Sequence, residues 1–181
     1  MIKAADSGRD FDLSLRELCA SGRSLQIGHS QEIPNCAWGF WAQGEEKLDP
    51  AVRLCIESWR RFGGFDEVHI LDSVTVFDFV PRSMFPDLFD QLPVQIQSDL
   101  VRLALLASYG GVWMDASTLV TFPVSGWLQS LRLDSGLFLY QNEGKGIGGR
   151  RFETGVIAAH KGHPFVQEWL DQMLAFFEKD R

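Results

Sequence analysis

An α/β fold, with a mostly parallel sheet flanked by helices, is predicted by three features of the chain. An apolar strand, a proline-opened amphipathic helix and a second strand follow one another between residues 35 and 71. A long apolar helical run then stops at Gly110-Gly111 and gives way at once to a third strand. A closing amphipathic helix opens at Pro164. Strand, helix and strand in that order imply parallel neighbours joined by right-handed crossovers.

Residues 1–32 are polar and irregular apart from Phe11, Leu13, Leu15 and Leu18, which would line one side of a short helix. They read as a leader or docking arm, and residues 33–181 as one domain. CAWGFWAQ, bounded by Pro34 and Gly44, has the pattern of a buried strand ending in a loop. Pro50 opens a helix with a core face of Val52, Cys55, Ile56 and Trp59, spaced at three and four residues. EVHIL, after the Gly63-Gly64 turn, is the second strand.

Residues 72–94 are broken by Pro81, Pro86 and Pro93 and read as a surface excursion with short helical turns at most. SDLVRLALLASY is an unbroken helix, and VWM a third strand ending at Asp115. GLFLYQN and TGVIAA are further strands, separated by the basic, glycine-rich GKGIGGRR. PFVQEWLDQMLAFF closes the chain as an amphipathic helix.

At 181 residues the chain suffices for a single well-filled core. Its formal charge of −7 excludes a surface built to hold nucleic acid, which needs clustered Lys and Arg, but not a small anionic ligand in a locally positive cleft. Cys19, Cys36 and Cys55 form no CxxC pair, and an odd thiol suits a reducing compartment. No window approaches the roughly 20 apolar residues of a membrane span. The expected location is therefore the cytoplasm, with peripheral contact to a membrane assembly left open.

The most specific signal runs from Ser98 to Thr118. Asp99 and Arg102 stand three residues apart and share one helical face. An isolated Asp-x-x-Arg is usually an exposed ion pair. This one precedes a strand that ends in Asp115, and in open α/β sheets ligands bind beyond the carboxyl ends of strands. A strand-end Asp can also cap a loop. Trp38 and Trp41 sit at the carboxyl end of the first strand, where they either line a ligand pocket or fill the core, with Trp41 the better pocket candidate. Gly144–Gly149 matches GxGxxG formally but opens no helix, so it fails the dinucleotide-fold context. Lys145, Arg150 and Arg151 beside it either close over a diphosphate or solvate a hairpin tip.

SDLVRLALLASYGGVWMDAST resembles the donor-site signature of capsular-polysaccharide-synthesis glycosyltransferases, and more distantly that of yeast-type initiating mannosyltransferases and glucosylating clostridial toxins. The resemblance runs from about Ile33 to the last helix. It implies a GT-A fold and transfer of a hexosyl group, with retention, from a UDP- or GDP-sugar to a saccharide acceptor. Asp115 matches the first acidic position of the Asp-x-Asp motif, which meets the donor and a divalent cation, Mn²⁺ or Mg²⁺. Ser117 stands where many relatives carry the second carboxylate, and a neutral hydroxyl weakens a site for a hard cation.

By the same resemblance Asp99 would bind hydroxyls of the donor sugar, and Arg102 would steady the sugar or diphosphate with its planar fork. His163, in the Gly-His-Pro turn, matches a family histidine and is either catalytic or a packing residue at a helix entry. Glu153 lies where relatives carry an acidic or amide group facing the sugar. The departure at Ser117 also motivates a second expectation, a shortened non-catalytic relative that binds or assembles.

Overall fold

The computed structural model describes residues 32–131, 133–141 and 152–178. The order is β1 (Cys36–Phe40), α1 (Pro50–Phe62), β2 (Glu67–Leu71), α2 (Val94–Tyr109), β3 (Gly111–Met114), α3 (Val124–Ser130), β4 (Leu137–Gln141), β5 (Phe152–Ala159) and α4 (Pro164–Glu178). Between β2 and α2 the proline-broken stretch forms three short 3-10 turns, as its composition predicts. Nearly all of the arm expected at 1–32, and the segment from Gly144 to Arg151, lie outside the described residues.

The five strands lie in the order β2-β1-β3-β5-β4. β1 pairs in parallel with both β2 and β3. β5 pairs antiparallel with β3 and with β4. Four strands therefore point the same way and β5 alone runs back, so the sheet is mixed and only its β2-β1-β3 half is parallel by pairing. This reversal decides where each end of β5 emerges.

Alternation along β3 divides the core. Trp113 faces α2 and α4, in a cluster with Trp38, Leu100, Leu103, Ile157 and Trp169. Val112 and Met114 face α1 and α3, beside Trp59, Val124 and Leu128. Helices thus cover both faces of the sheet. α1 starts where Asp49 Oδ1 accepts the N–H groups of Ala51 and Val52, with Pro50 at the first helical position. α2 begins at Val94, four residues before the predicted start, and is buried on nearly every side from Leu100 to Ala107. The sequence reading contained no counterpart of α3, a seven-residue helix without a side-chain cap.

The turn from α2 into β3 needs its two glycines. Gly110 and Gly111 have φ of 71° and 97°. A β-carbon on Gly111 would stand 2.5 Å from Cys36 Sγ, and one on Gly110 2.5 Å from the Lys161 nitrogen. Trp38 Nε1 donates to the Gly110 carbonyl at 2.8 Å and fixes the turn from the core side. Among the described residues no helix is long and apolar enough to cross a membrane.

Candidate functional site

The tight turn lays α2 back along β3, so the amino-terminal half of the helix meets the carboxyl end of the strand. There Arg102 is buried, with its side chain only 6% exposed, and bridges two carboxylates. Nη1 lies 3.0 Å from Asp99 Oδ1, and Nη2 lies 2.9 Å from Asp115 Oδ1. Both carboxylates keep access to solvent, at 42% and 43% exposure. The guanidinium carbon sits 5.1 Å from the centre of the Trp113 ring, a cation–π distance.

Asp115 is anchored on several sides. Its N–H donates to the Gly155 carbonyl at 2.8 Å, and its carbonyl accepts from Thr118. Trp113 Nε1 donates to Oδ1 at 2.9 Å, the same oxygen that Arg102 engages. Oδ2 lies 3.3 Å from where a β-carbon on Gly155 would stand, so the absence of a side chain there keeps that oxygen uncrowded. Arg102 Nε is buried with no hydrogen-bond partner among the described residues.

Trp41 follows β1 at the same end of the sheet and packs with Ala116, Leu48, Val52 and Ile56. Its indole nitrogen is buried without a partner, leaving a donor at this end of the sheet. Trp38, the other candidate, is a core residue: its ring stacks on His69 with centroids 4.5 Å apart and its N–H is used on Gly110. Ser117 is exposed, and its carbonyl accepts from Cys55 Sγ at 3.4 Å. Glu153 is exposed near the start of β5, two residues before the Gly155 that pairs with Asp115.

His163 is not brought to this cleft, so the structure departs from its catalytic reading and agrees with the other, a packing residue at a helix entry. β5 runs antiparallel to β3 with Ala159 opposite Gly111, so the segment after β5 emerges at the far end of the sheet from Asp115. His163 Nδ1 accepts the Phe165 N–H at 3.1 Å, which leaves Nε2 to donate to the Ser135 carbonyl at 3.1 Å. It caps α4 in the neutral form, and burial, reinforced by His160, holds its pKa below the usual histidine value.

Asp72, at the end of β2, is committed to its own loop. Its carboxylate accepts from Thr75 N–H, Val74 N–H and the Thr75 hydroxyl, and these bonds keep its pKa below the ordinary range. Glu45, after β1, forms a two-pronged pair with Arg60 that likewise holds its pKa down.

Among the described residues no group of three or more His, Cys, Asp or Glu side chains is placed to hold a metal ion. With so few acidic oxygens gathered, the residues here fit a cation that brings most of its own oxygen ligands, as a diphosphate-bound one does, and not a site that binds metal unaided. Sequence reasoning missed Trp113 and Gly155. The available signal for Trp113 was strand periodicity, which places residue 113 on the same face as residue 115.

Residues 18–181 match the family described as capsular polysaccharide synthesis protein. The O-glycosyltransferase braB of Annulohypoxylon truncatum is 32% identical over 163 residues, covering 81% of this chain and 38% of the relative. The glycosyltransferase afumC of Aspergillus fumigatus is 36% identical over 95 residues, 46% of this chain and 24% of the relative. The chain thus spans well under half the length of these relatives. A solved PaToxG glycosyltransferase superposes with a TM-score of 0.55 at 15% identity, covering 96% of this chain and 69% of that one. This likeness establishes the expected GT-A-like α/β fold.

Proposed function

This chain belongs to the capsular polysaccharide synthesis protein family, and on that premise we propose that it is a glycosyltransferase. It moves a hexosyl group from a UDP- or GDP-sugar to a hydroxyl of a saccharide acceptor, with retention, in the building of a capsular or other surface polysaccharide. The names of the relatives agree with a glycosyl transfer. The observation that carries the reading is the buried Arg102 held between Asp99 and Asp115 at the carboxyl end of β3.

In this reading each group has a distinct task. Asp99, half exposed, accepts hydrogen bonds from hydroxyls of the donor sugar. Arg102 fixes both carboxylates from its buried position. Asp115 meets the donor with Oδ2. Trp41, partly buried just after β1, contributes its ring to the nucleotide pocket. Glu153 stands on the acceptor side.

The three central side chains carry two formal negative charges and one positive, so a diphosphate leaving group meets no net positive charge from them. A divalent cation, Mn²⁺ or Mg²⁺, entering with the donor would supply that charge, with Asp115 and Ser117 as its protein oxygens. The protein works in the cytoplasm, associated peripherally with a membrane polysaccharide assembly.

The test is release of free UDP or GDP from a panel of nucleotide sugars, with and without Mn²⁺ and a saccharide acceptor. Turnover that requires donor and cation supports the enzyme. Donor binding without nucleotide release would favour a non-catalytic binding subunit.

A further inference from the structure

Trp113 is fully buried and paired in register with Trp38 on one side and Ile157 on the other, so its ring has an ordinary place in the core. Its N–H does something that core filling does not require. Nε1 reaches 2.9 Å to Asp115 Oδ1, and Arg102 Nη2 reaches the same oxygen at 2.9 Å. The same guanidinium lies 5.1 Å from the Trp113 ring centre. One aromatic side chain therefore seats the arginine and shares its acceptor.

We propose that Trp113 is a positioning residue for the transferase reaction, acting through Asp115 and never touching the donor. The inference rests on the functional reading given above. With Arg102 alone, the carboxylate could rotate and offer either oxygen to the guanidinium. A second, directional donor from the rigid core commits Oδ1 and so turns Oδ2 toward the ligand side. Gly155 completes the arrangement: its carbonyl holds the Asp115 N–H at 2.8 Å, and its missing side chain leaves Oδ2 uncrowded. A leucine or phenylalanine at 113 would fill the same core but leave the carboxylate half-fixed.

The test replaces Trp113 in the full chain with benzothienylalanine, which keeps the ring's shape and has sulfur in place of N–H. Positioning acts at the transition state, so kcat is expected to fall about tenfold or more while the donor KM stays within about threefold. Unchanged kcat and KM would overturn the proposal. Should that variant fail to fold, the indole ¹⁵N–¹H resonance of wild-type Trp113, assigned by its loss in Trp113→Phe, decides instead. It is expected to shift in Asp115→Asn and again when UDP-sugar or GDP-sugar binds the wild type, and a resonance indifferent to both would overturn the role. If the wild type turns over no donor, the transferase reading falls and takes this role with it. If the wild type is active and the sulfur isostere equals it, only the role of Trp113 is lost.

Discussion

Arg102 Nη2 lies 2.9 Å from Asp115 Oδ1, a bond that joins the middle of α2 to the residue just past β3. The buried guanidinium also holds Asp99, so its planar fork is what unites the two carboxylates. An ammonium offers one point of charge and cannot reproduce that geometry. Arg102→Lys is expected to lower kcat/KM for the donor by about a hundredfold, roughly 2.7 kcal/mol, as measured by nucleotide release. The loss of folding stability should be smaller, about 1–2 kcal/mol in urea titration, since both carboxylates can return to water. A fully active lysine variant would show that the bridge is only structural.

Gly155→Ala places a carbon 3.3 Å from Asp115 Oδ2. The strand itself tolerates alanine, so the melting temperature is expected to move by a few degrees at most. Donor affinity should fall about three- to tenfold in calorimetry, because the added methyl crowds the oxygen that faces the ligand. Unaltered affinity would mean that Oδ2 is not the donor-facing atom.

Ser117→Asp adds a hard anionic oxygen two residues after Asp115. Affinity for Mn²⁺ without nucleotide is expected to rise by about tenfold or more from a weak starting value. Equally tight binding in both forms would show that other residues hold the cation.

The convergence of Asp99, Arg102 and Asp115 was legible because each link is local. A three-residue spacing sets the helical face, a Gly-Gly turn folds the helix back on the strand, and a strand end places the carboxylate. His163 stays undecided between catalysis and packing in the sequence for the opposite reason. TGVIAA reads as a strand in either direction, and only its pairing with β3 and β4 settles which end of the sheet its continuation reaches. Trp113 was hidden for a third reason: an aromatic in a short apolar strand looks like packing, and its N–H gains meaning only once Asp115 is placed. The seven-residue α3, with Gly126 inside it and no side-chain cap, carried too weak a periodic signal to be read.

His163 gives a prediction about pH. Its folded pKa lies below the unfolded value of 6.5, so the unfolded chain binds the proton more readily. The stabilisation is complete above about 6.5 and is lost as pH falls through the lower, folded value. Asparagine also accepts a hydrogen bond at a helix N-cap. His163→Asn is therefore expected to flatten the dependence of melting temperature on pH just below 6.5 while nucleotide release stays within about twofold of wild type. A large loss of turnover in a folded variant would return His163 to the reaction.

The central claim is that Asp115 is a donor-site carboxylate, and Asp115→Asn tests it most directly. The amide keeps the shape and an oxygen for Arg102 but removes the charge, so little core packing is at stake. Nucleotide release from the preferred donor, measured beside the melting temperature, is expected to fall by about a hundredfold or more with a shift of only a few degrees. Wild-type turnover and donor affinity in that variant would contradict the account and leave Asp115 as a loop-capping residue.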